Sequence, residues 1–297
     1  MTDDVNFKPG TSARVIKDSI SPSGIRLTTM EWTFHRFILA EVNTHRVLSR
    51  NSASSRAIPL RKQLDRVTNN IAMPVEWRAE QRGMQGGDLL PEKTTEAAEL
   101  AWEMARNQAT KYARMLGELG VHKSIVNRLL EPFMWHTAII TATDWDGVWH
   151  QRCHRDAQHE FQKVARLAKD AYDASEPEEV GPDGWHLPYI DADDHAAAHD
   201  LEAAQTDGVT ATELLRRVST ARCARVSYLT HDGRRSLEDD LTLYERLTAN
   251  LSNGTDDPWH ASPLEHVATP AIDDETPRGN FTGWHQYRHM VEDGVMI

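Results

Sequence analysis

The sequence is poor in cysteine and has neither a long apolar run nor a strongly basic one. Its 297 residues include two cysteines, Cys153 and Cys223, which excludes a disulfide framework and predicts two reduced thiols in a cytosol. No apolar stretch approaches the roughly 20 residues of a membrane span. The N-terminal residues lack the basic and apolar regions of a signal peptide. We therefore expect a soluble, cytoplasmic protein.

Positive charge is also scarce. Lys and Arg number 33 against 45 Asp and Glu, so the net charge is −12. Because no run of basic residues is long enough to track a nucleic-acid backbone, a polymeric nucleic-acid partner is not expected. An acidic enzyme can still bind a phosphorylated small molecule where a few arginines converge.

Several common catalytic signatures are missing. The glycine-containing segment at 83–87 lacks the GxGxxG spacing, and no GxSxG motif is present. Cys153 lies on a predicted buried stripe of a helix and Cys223 lies in a predicted strand. Neither cysteine is therefore predicted to be an exposed, activated thiolate.

The apolar pattern predicts a chain of mixed α and β structure. Residues 12–40 are predicted to form two strands around a turn at 21–24, and 41–60 to form a polar loop. Segments 68–92 and 174–210 are interpreted as surface excursions, the second one acidic. Helices are predicted at 94–119, 122–131, 147–173, 211–219 and 236–251, a strand at 222–229, and a polar loop at 273–280.

The first polar cluster follows the second predicted strand and is rich in hydroxyl, guanidinium and imidazole groups. It comprises Thr44, His45, Arg46, Ser49, Asn51, Ser52, Ser54, Ser55 and Arg56. Arginine offers phosphate a planar fork of donors, and serine hydroxyls with loop N–H groups complete such a cradle. The composition indicates either an anion-binding loop or an ordinary polar surface loop.

Arginines in two predicted helices are further candidates. Arg128 is near a helix end, where a cation is favourable whether or not it binds a ligand. Arg152 is four residues before Asp156, which is the spacing of a helical ion pair. His150 and His154 share that spacing and could bind one metal ion. Because no HExxH pattern follows, a metal-dependent hydrolase is a distant alternative.

The last cluster is the sequence HASPLEH at 260–266, with Ser227 upstream. Glu265-His266 follows a Ser-Pro turn. That arrangement is typical either of a ligand clamp or of a capped turn.

Together, these clusters resemble the hallmark motifs of the flavin-dependent thymidylate synthases. That family carries RHR, then Ser three residues on, then Asn-Glu-x-Ser-x-Arg-Tyr. The matching residues here are His45-Arg46, Ser49, Asn51, Ser54 and Arg56. A family helix carries Arg, four residues, then Ala-Gln-x-Glu, which is matched by Arg152 and 157–160.

Three more family motifs are present. The family's Ala-Arg before Leu-Pro is matched by Asn127-Arg128 before Glu131-Pro132. Its Ala-Arg-Val-Ser strand is matched at 224–227 and its His-x-Ser-Pro-x-Glu-His turn at 260–266. These last two precede RHR in the family but follow it here. The order resembles a circular permutation, which folds tolerate because domain termini often lie close together.

The resemblance implies one domain with an α+β fold, in which long helices pack on a central, mostly antiparallel sheet. Its parts are the RHR-type motif and helices at 12–175, an acidic insertion at 176–215, and the family's N-terminal region at 216–297. Motif positions that depart from the family are Glu41, Thr44, Ser52, Ala57 and Gly147. Glu41 occupies the position of a family glutamine, and Gln286 is a candidate replacement for that glutamine.

The resemblance also implies the cofactors and the site. In the family, reduced FAD supplies hydride, methylenetetrahydrofolate supplies the carbon atom and NADPH reduces the flavin. Arg152 is implied as the catalytic residue that binds the pyrimidine, with Ser54, Arg56, Arg128 and Gln286 binding the nucleotide. The implied flavin contacts are His45, Arg46, Ser49, Asn51, Ser227, Glu265 and His266. The family is a homotetramer that shares sites between subunits.

The predicted reaction is methylation of dUMP, a pyrimidine nucleoside monophosphate, at C5. Arg152 only donates hydrogen bonds, which suits a uracil carbonyl oxygen. One alternative is hydroxymethylation of dCMP or dUMP, since Gly147 removes a side chain beside the flavin and admits water. Another is C5 methylation of UMP, since nothing in the sequence reads the 2′ position. A binding protein without turnover is also consistent with the motif departures.

Overall fold

A computed structural model describes residues 10–204, 208–230, 236–252, 259–271 and 279–294. The strands are β1 (Ser12–Ile20), β2 (Arg26–His35), β3 (Ser49–Ser52), β4 (Trp135–Ala142), β5 (Glu178–Glu179), β6 (Ala268–Pro270) and β7 (Trp284–Gln286). The α-helices are α1 (Leu39–Val42), α2 (Leu60–Asn69), α3 (Glu92–Glu118), α4 (Lys123–Val126), α5 (Asp146–Arg152), α6 (His159–Asp173), α7 (Ala192–Ala204), α8 (Ala211–Arg225), α9 (Leu237–Ser252) and α10 (Tyr287–Glu292). Short 3-10 helices lie at Arg36–Ile38, Asn127–Phe133, Val226–Tyr228 and Ser262–His266.

The main sheet has the strand order β3-β4-β2-β1-β5. All its pairs are antiparallel except β1 with β5, and β6 and β7 form a separate antiparallel pair. The predicted turn joins β1 to β2, with Gly24 at a positive φ of 78° and the Ser21 hydroxyl accepting from the Ile25 N–H. The α+β fold with a mostly antiparallel sheet is thus confirmed.

One face of this sheet is apolar and packs under α5 and α6. Met30, Trp32 and Phe34 alternate along β2 on this face and are fully buried. They form one core with Phe161 and Val164 of α6. This packing places the N-terminal end of α6 above the end of β2.

The opposite face is polar and equally buried. A chain of hydrogen bonds crosses it from Ser19 to His186, Thr29, Thr141 and His266, with successive distances of 2.8, 2.7, 2.7 and 2.8 Å. All five residues are fully buried. Buried polar groups need such partners, so this chain fixes how the later part of the sequence covers the sheet.

Two helices replace the single helix predicted at 147–173. The helix stops at Arg152 and restarts at His159, so Arg152 and Asp156 do not share a helix face, and His154 lies beyond the end of α5. The His154 ring accepts a hydrogen bond from the Asp156 N–H at 3.3 Å, a local bond that competes with the helix. The predicted helical ion pair and the predicted helical His150–His154 pair are therefore wrong.

The predicted strand at 222–229 is also wrong. Residues up to Arg225 extend α8, and a 3-10 turn ends at Leu229 with φ of 55°. Most of α8 is buried on every side, and Arg222 is neutralised there by Asp194 and Asp240. Because Ser219, Thr220 and Arg222 are buried together with the apolar residues, the segment shows no helical period of apolar residues.

The acidic excursion predicted at 174–210 is more structured than expected, whereas 70–91 forms no helix or strand and is mostly exposed or half-buried. In the acidic one, His186 and Ala198 are fully buried and Leu187 nearly so. The helix predicted at 122–131 is a short α-helix followed by a 3-10 helix that contains Pro132. The helices predicted at 94–119 and 236–251 are confirmed within two residues at each end. Most of the loop predicted at 273–280 lies outside the described residues.

No helix in the described ranges combines the length and apolar character needed to cross a membrane.

The buried histidines predict acid lability. Burial lowers the pKa of His266 to about 3 and of His35 to about 4, and it lowers the pKa of His186 well below 6.5. As pH falls below 6.5, the unfolded chain takes up protons that these folded rings do not. The free energy of unfolding should therefore keep its full value above pH 6.5. It should fall towards pH 4 by up to about 1.4 kcal/mol per pH unit for each histidine.

Urea denaturation at pH 7, 6 and 5 measures this slope. His186→Gln should reduce the slope, whereas the same change at the exposed His199 should not. Equal stability at all three pH values would contradict the prediction.

Candidate active site

Asn51 is the junction between the two motif-bearing parts of the chain. Its side-chain amide donates to the Cys223 carbonyl at 2.8 Å, and its side-chain oxygen accepts from the Ser227 hydroxyl at 3.0 Å. The Ser262 hydroxyl is 3.4 Å from the same oxygen. Next along the chain, the Ser54 N–H donates to the Ser227 carbonyl at 3.1 Å. The polar loop and the two later motifs therefore meet at one edge of the sheet.

Gln286 completes this junction from the C-terminal side. Its amide donates to the Ser49 hydroxyl at 2.9 Å and to the Glu265 carbonyl at 3.1 Å, and its side chain is buried. Both N–H groups of the amide are thus used inside the protein. Gln286 holds Ser49 and Glu265 in place, and neither N–H is free to donate to a nucleotide.

Arg152 and His45 form a second unit on the α6 side of the sheet. The Arg152 Nε donates to His45 Nε2 at 2.8 Å, and the guanidinium lies over the Phe161 ring, 4.6 Å from its centre. A further guanidinium N–H reaches the Thr44 hydroxyl at 3.2 Å. Within the described ranges no carboxylate is within ion-pair distance of Arg152. Burial lowers the pKa of Arg152 and the nearby Glu41 carboxylate acts to raise it, so the protein orients this arginine and offsets its charge only in part.

The pKa of His45 is lowered to about 4 by burial and by the charges of Arg152 and Arg50. At neutral pH the ring is therefore uncharged, and its Nε2 accepts the hydrogen bond from Arg152. This arrangement fixes the tautomer with hydrogen on Nδ1. His45 consequently acts as a neutral support for the Arg152 guanidinium.

A third unit surrounds Glu131 at the end of the sheet where β2 ends. One carboxylate oxygen of Glu131 accepts from Ser55 at 2.7 Å, from Arg128 at 2.7 Å and from Arg36 at 3.2 Å. Arg128 is half exposed, whereas Arg36 is largely buried. Three donors that converge on one anionic oxygen are the arrangement that also suits a phosphate.

Arg36, Ser55 and Glu131 are the members of this unit that motif comparison did not identify as site residues, although Ser55 belongs to the polar cluster. Arg36 follows β2 directly, and its Nη1 also lies 2.8 Å from His136 Nδ1. No local pattern distinguishes it from a surface arginine. The Glu131-Pro132 pair was visible in the sequence but only as a motif boundary.

The predicted site residues differ widely in accessibility. Arg46, Arg56 and Arg128 are exposed, and Ser54, Arg152 and Glu265 are partly buried. The remaining ones are buried, namely His45, Ser49, Asn51, Ser227, His266 and Gln286. The accessible group carries the cations, and most of the buried group connects the chain segments.

His45 and His266 pack against opposite faces of the sheet. His45 contacts Phe161 in the apolar core, whereas His266 bonds Thr141 on the polar face and is fully buried. His266 therefore has no accessible surface in this chain at which a ligand could contact it. Its position supports Glu265, which is adjacent in sequence and pairs with Arg288 at 2.5 Å.

The cysteines are not activated, as predicted. Burial raises the pKa of Cys153, and the fully buried Cys223 has its pKa raised much further by the same cause. In the part of the chain that the structure describes, no three His, Cys, Asp or Glu residues group together as metal ligands.

No family model and no curated protein matches the chain. Among solved structures, the UMP/dUMP methylase PolB from Streptomyces cacaoi bound with 5-Br dUMP gives a TM-score of 0.45 at 14% identity, covering 56% of this chain and 90% of that one. The same enzyme with 5-Br UMP gives 0.46 at 14%, covering 56% and 89%. The flavin-dependent thymidylate synthase from Helicobacter pylori complexed with FAD and dUMP gives 0.35 at 16%, covering 49% and 67%. At TM-scores below 0.5, these similarities assign no activity to the chain.

The junction predicts a large effect of Asn51→Ala. The substitution leaves the buried Ser227 hydroxyl and the Cys223 carbonyl without their partner, so the free energy of unfolding should fall by about 2–4 kcal/mol. Urea denaturation measures this change. Ser52→Ala, on the same strand and half-buried, is the matched control. If both variants unfold at the same urea concentration, Asn51 does not hold the two parts together.

Proposed function

We propose that the chain is a flavin-dependent enzyme that transfers a one-carbon unit from methylenetetrahydrofolate to C5 of a uracil nucleotide, with dUMP as the first choice. The observation that carries the proposal is the Asn51 junction. It joins the RHR-like loop to the 224–227 motif across 176 positions of sequence and to the 260–266 motif across 211. That meeting is what the permuted motif order requires.

The donor groups fit a phosphate-bearing flavin. Arg46 is exposed, and no carboxylate within the described ranges forms an ion pair with it. Glu265 and Ser262 lie on the neighbouring turn, where the Arg288 charge offsets the Glu265 carboxylate. Arg46, Ser262 and Glu265 would therefore hold the flavin. When bound and reduced it would supply hydride, and NADPH would reduce it.

Arg152 is the residue best placed to act on the pyrimidine ring. C5 of uracil becomes nucleophilic when negative charge on the ring and its carbonyl oxygens is stabilised. A guanidinium that forms no ion pair within the described ranges and is held by a neutral His45 meets that need, because it is positioned before substrate binds. Neither cysteine supplies a thiolate for attack at C6, so this polarisation by Arg152 replaces covalent activation.

The nucleotide phosphate would bind at the Glu131 unit. Arg128 bonds Glu131, Arg56 directly follows Ser55, and both arginines are exposed; the Ser55 hydroxyl already faces an anionic oxygen. A phosphate at this place would accept the hydrogen bonds that Ser55, Arg128 and Arg36 now donate to Glu131. Arg36, held from below, would keep the pocket cationic as Glu131 is displaced.

Methyl transfer is favoured over hydroxymethyl transfer. The sequence suggested that Gly147 opens room for water beside the flavin. In the structure Gly147 is exposed on α5, and a Cβ at this position would meet nothing within 4 Å. The glycine therefore enlarges no enclosed space within this chain.

The test is to incubate the full chain with FAD, NADPH and methylenetetrahydrofolate, together with dUMP, UMP or dCMP in separate reactions. We expect a yellow protein after desalting, and a product from dUMP that is heavier by one CH2 unit in mass spectrometry, because a methyl group replaces the hydrogen on C5. A colourless protein that does not change FAD fluorescence would overturn the flavin assignment. A hydroxymethylated cytosine product, with dUMP unchanged, would overturn only the choice of base and group.

The two arginines should separate catalysis from binding. Arg152→Ala removes charge stabilisation in the transition state, so kcat should fall by about 10²–10³-fold. Arg128→Ala removes a charge-assisted contact worth about 1.5–3 kcal/mol, so the Kd for dUMP should rise about 10–150-fold with a smaller change in kcat.

Steady-state kinetics and dUMP titration measure both effects. Arg114→Ala, an exposed arginine on α3, is the control. If Arg152→Ala and Arg128→Ala behave as Arg114→Ala does, both residues are surface cations without a role in the reaction.

A further inference from the structure

Glu41 lies on the short stretch of chain that also holds Arg152 in place. The Thr44 N–H and the Thr44 hydroxyl both donate to the Glu41 carbonyl oxygen, at 3.1 and 2.6 Å. Arg152 in turn donates to the same hydroxyl at 3.2 Å and to His45 at 2.8 Å. The turn at 41–45 therefore fixes the backbone of Glu41 relative to the Arg152 guanidinium.

The Glu41 carboxylate is near Arg152 but does not pair with it. Burial lowers the pKa of Arg152, and the Glu41 charge acts in the opposite direction. Within the described ranges, however, Arg152 forms no ion pair, and its hydrogen bonds go to His45 and Thr44. Opposite charges that are near each other without contact are both free to bond neighbouring atoms of one ligand.

The Glu41 carboxylate also receives no hydrogen bond from the protein. Its Oε2 atom is buried without a partner in the part of the chain that the structure describes. Its Oε1 atom is not buried, and the side chains of Glu41 and Arg152 are both partly accessible. A ligand can therefore reach Oε1 from solvent, and a bond there would give the anion the donor that it lacks.

The two groups select a ligand edge by its pattern of hydrogen bonds. A carboxylate only accepts and a guanidinium only donates, and Arg152 keeps N–H groups that His45 and Thr44 do not use. The matching edge has an N–H beside an acceptor. Uracil presents N3–H beside O4, and cytosine presents its 4-amino group beside N3. A phosphate has no N–H to offer and would be repelled by Glu41, so this is not an anion site.

We propose that Glu41 is a specificity-determining residue of the pyrimidine site, whose carboxylate accepts an N–H of the base while Arg152 donates to the neighbouring acceptor. The inference rests on the proposed function for the base that lies at Arg152. With uracil, the donor to Glu41 is N3–H. With cytosine, it is the 4-amino group. Because the accepting oxygen is anionic, this hydrogen bond is of the stronger, charge-assisted kind.

The experiment measures nucleotide binding by isothermal calorimetry on the full chain, with FAD present and NADPH omitted so that no turnover takes place. The probes are dUMP, dCMP and 3-methyl-dUMP, in which a methyl group replaces the hydrogen on N3. The wild type should bind dUMP at least tenfold more tightly than 3-methyl-dUMP. Glu41→Met keeps the length of the side chain but removes its acceptor, so dUMP should bind at least tenfold more weakly and lose this preference.

Two controls separate this role from a structural one. The Glu41 carboxylate makes no hydrogen bond within the described ranges, so Glu41→Met should not lower the thermal unfolding midpoint. Glu118→Met, the same change at an exposed position on α3, should bind all three nucleotides as the wild type does.

A wild type that prefers dCMP, with this preference lost in Glu41→Met, would assign the 4-amino group as the donor. That result supports the role of Glu41 and overturns only the choice of dUMP. The inference is overturned if Glu41→Met keeps the wild-type preferences, or if the wild type binds none of the three nucleotides or does not distinguish them.

Product formation is measured separately, with NADPH and methylenetetrahydrofolate added. Turnover of dUMP by Glu41→Met at the wild-type kcat/KM would refute the role of Glu41 alone. Discrimination among the nucleotides that depends on Glu41, without any product, would refute the proposed reaction alone.

Discussion

The side chain of Asn51 is the interaction on which the arrangement of the site depends. Its amide reaches Cys223 and its oxygen accepts from Ser227, so one edge-strand residue ties the start of the chain to its last third. Because Asn51 is buried, these bonds have no competing water. Neighbouring bonds from Ser49 to Gln286 extend the same joint. Together they position the loop that carries the exposed arginines.

The polar face of the sheet explains why this joint forms at one register. Thr29 and Thr141 are opposite each other on β2 and β4, and each also bonds a histidine from a distant segment. A shift by one residue would turn these hydroxyls to the other face and leave both histidines without partners. An apolar face would bury as much surface without specifying which segment covers it. The buried hydrogen-bond chain therefore gives specificity as well as stability.

The residues of the candidate site lie on the two faces and at one end of the sheet. The α6 face carries Arg152 and its neutral support His45, whereas the polar face carries the turn with Glu265. The Glu131 unit lies where β2 ends, since Arg36 directly follows that strand. Such convergence of several elements is how a rigid scaffold positions groups for reaction.

The sequence by itself determined the elements with strong local patterns. The β1–β2 hairpin has its turn residues, and α3 and α9 have helical periods. The candidate residues Arg152, Asn51 and Glu265 came from the resemblance of their motifs to those of a known family. The break after Arg152 coincides with a local hydrogen bond of the His154 ring that the apolar pattern does not reveal. The helical state of 222–225 was decided by tertiary structure, because polar and apolar residues of α8 are buried together. The tertiary structure also decided which motif residues connect segments and which face solvent. Partners such as Asn51 and Ser227 are 176 positions apart, and no local pattern encodes a hydrogen bond across that distance.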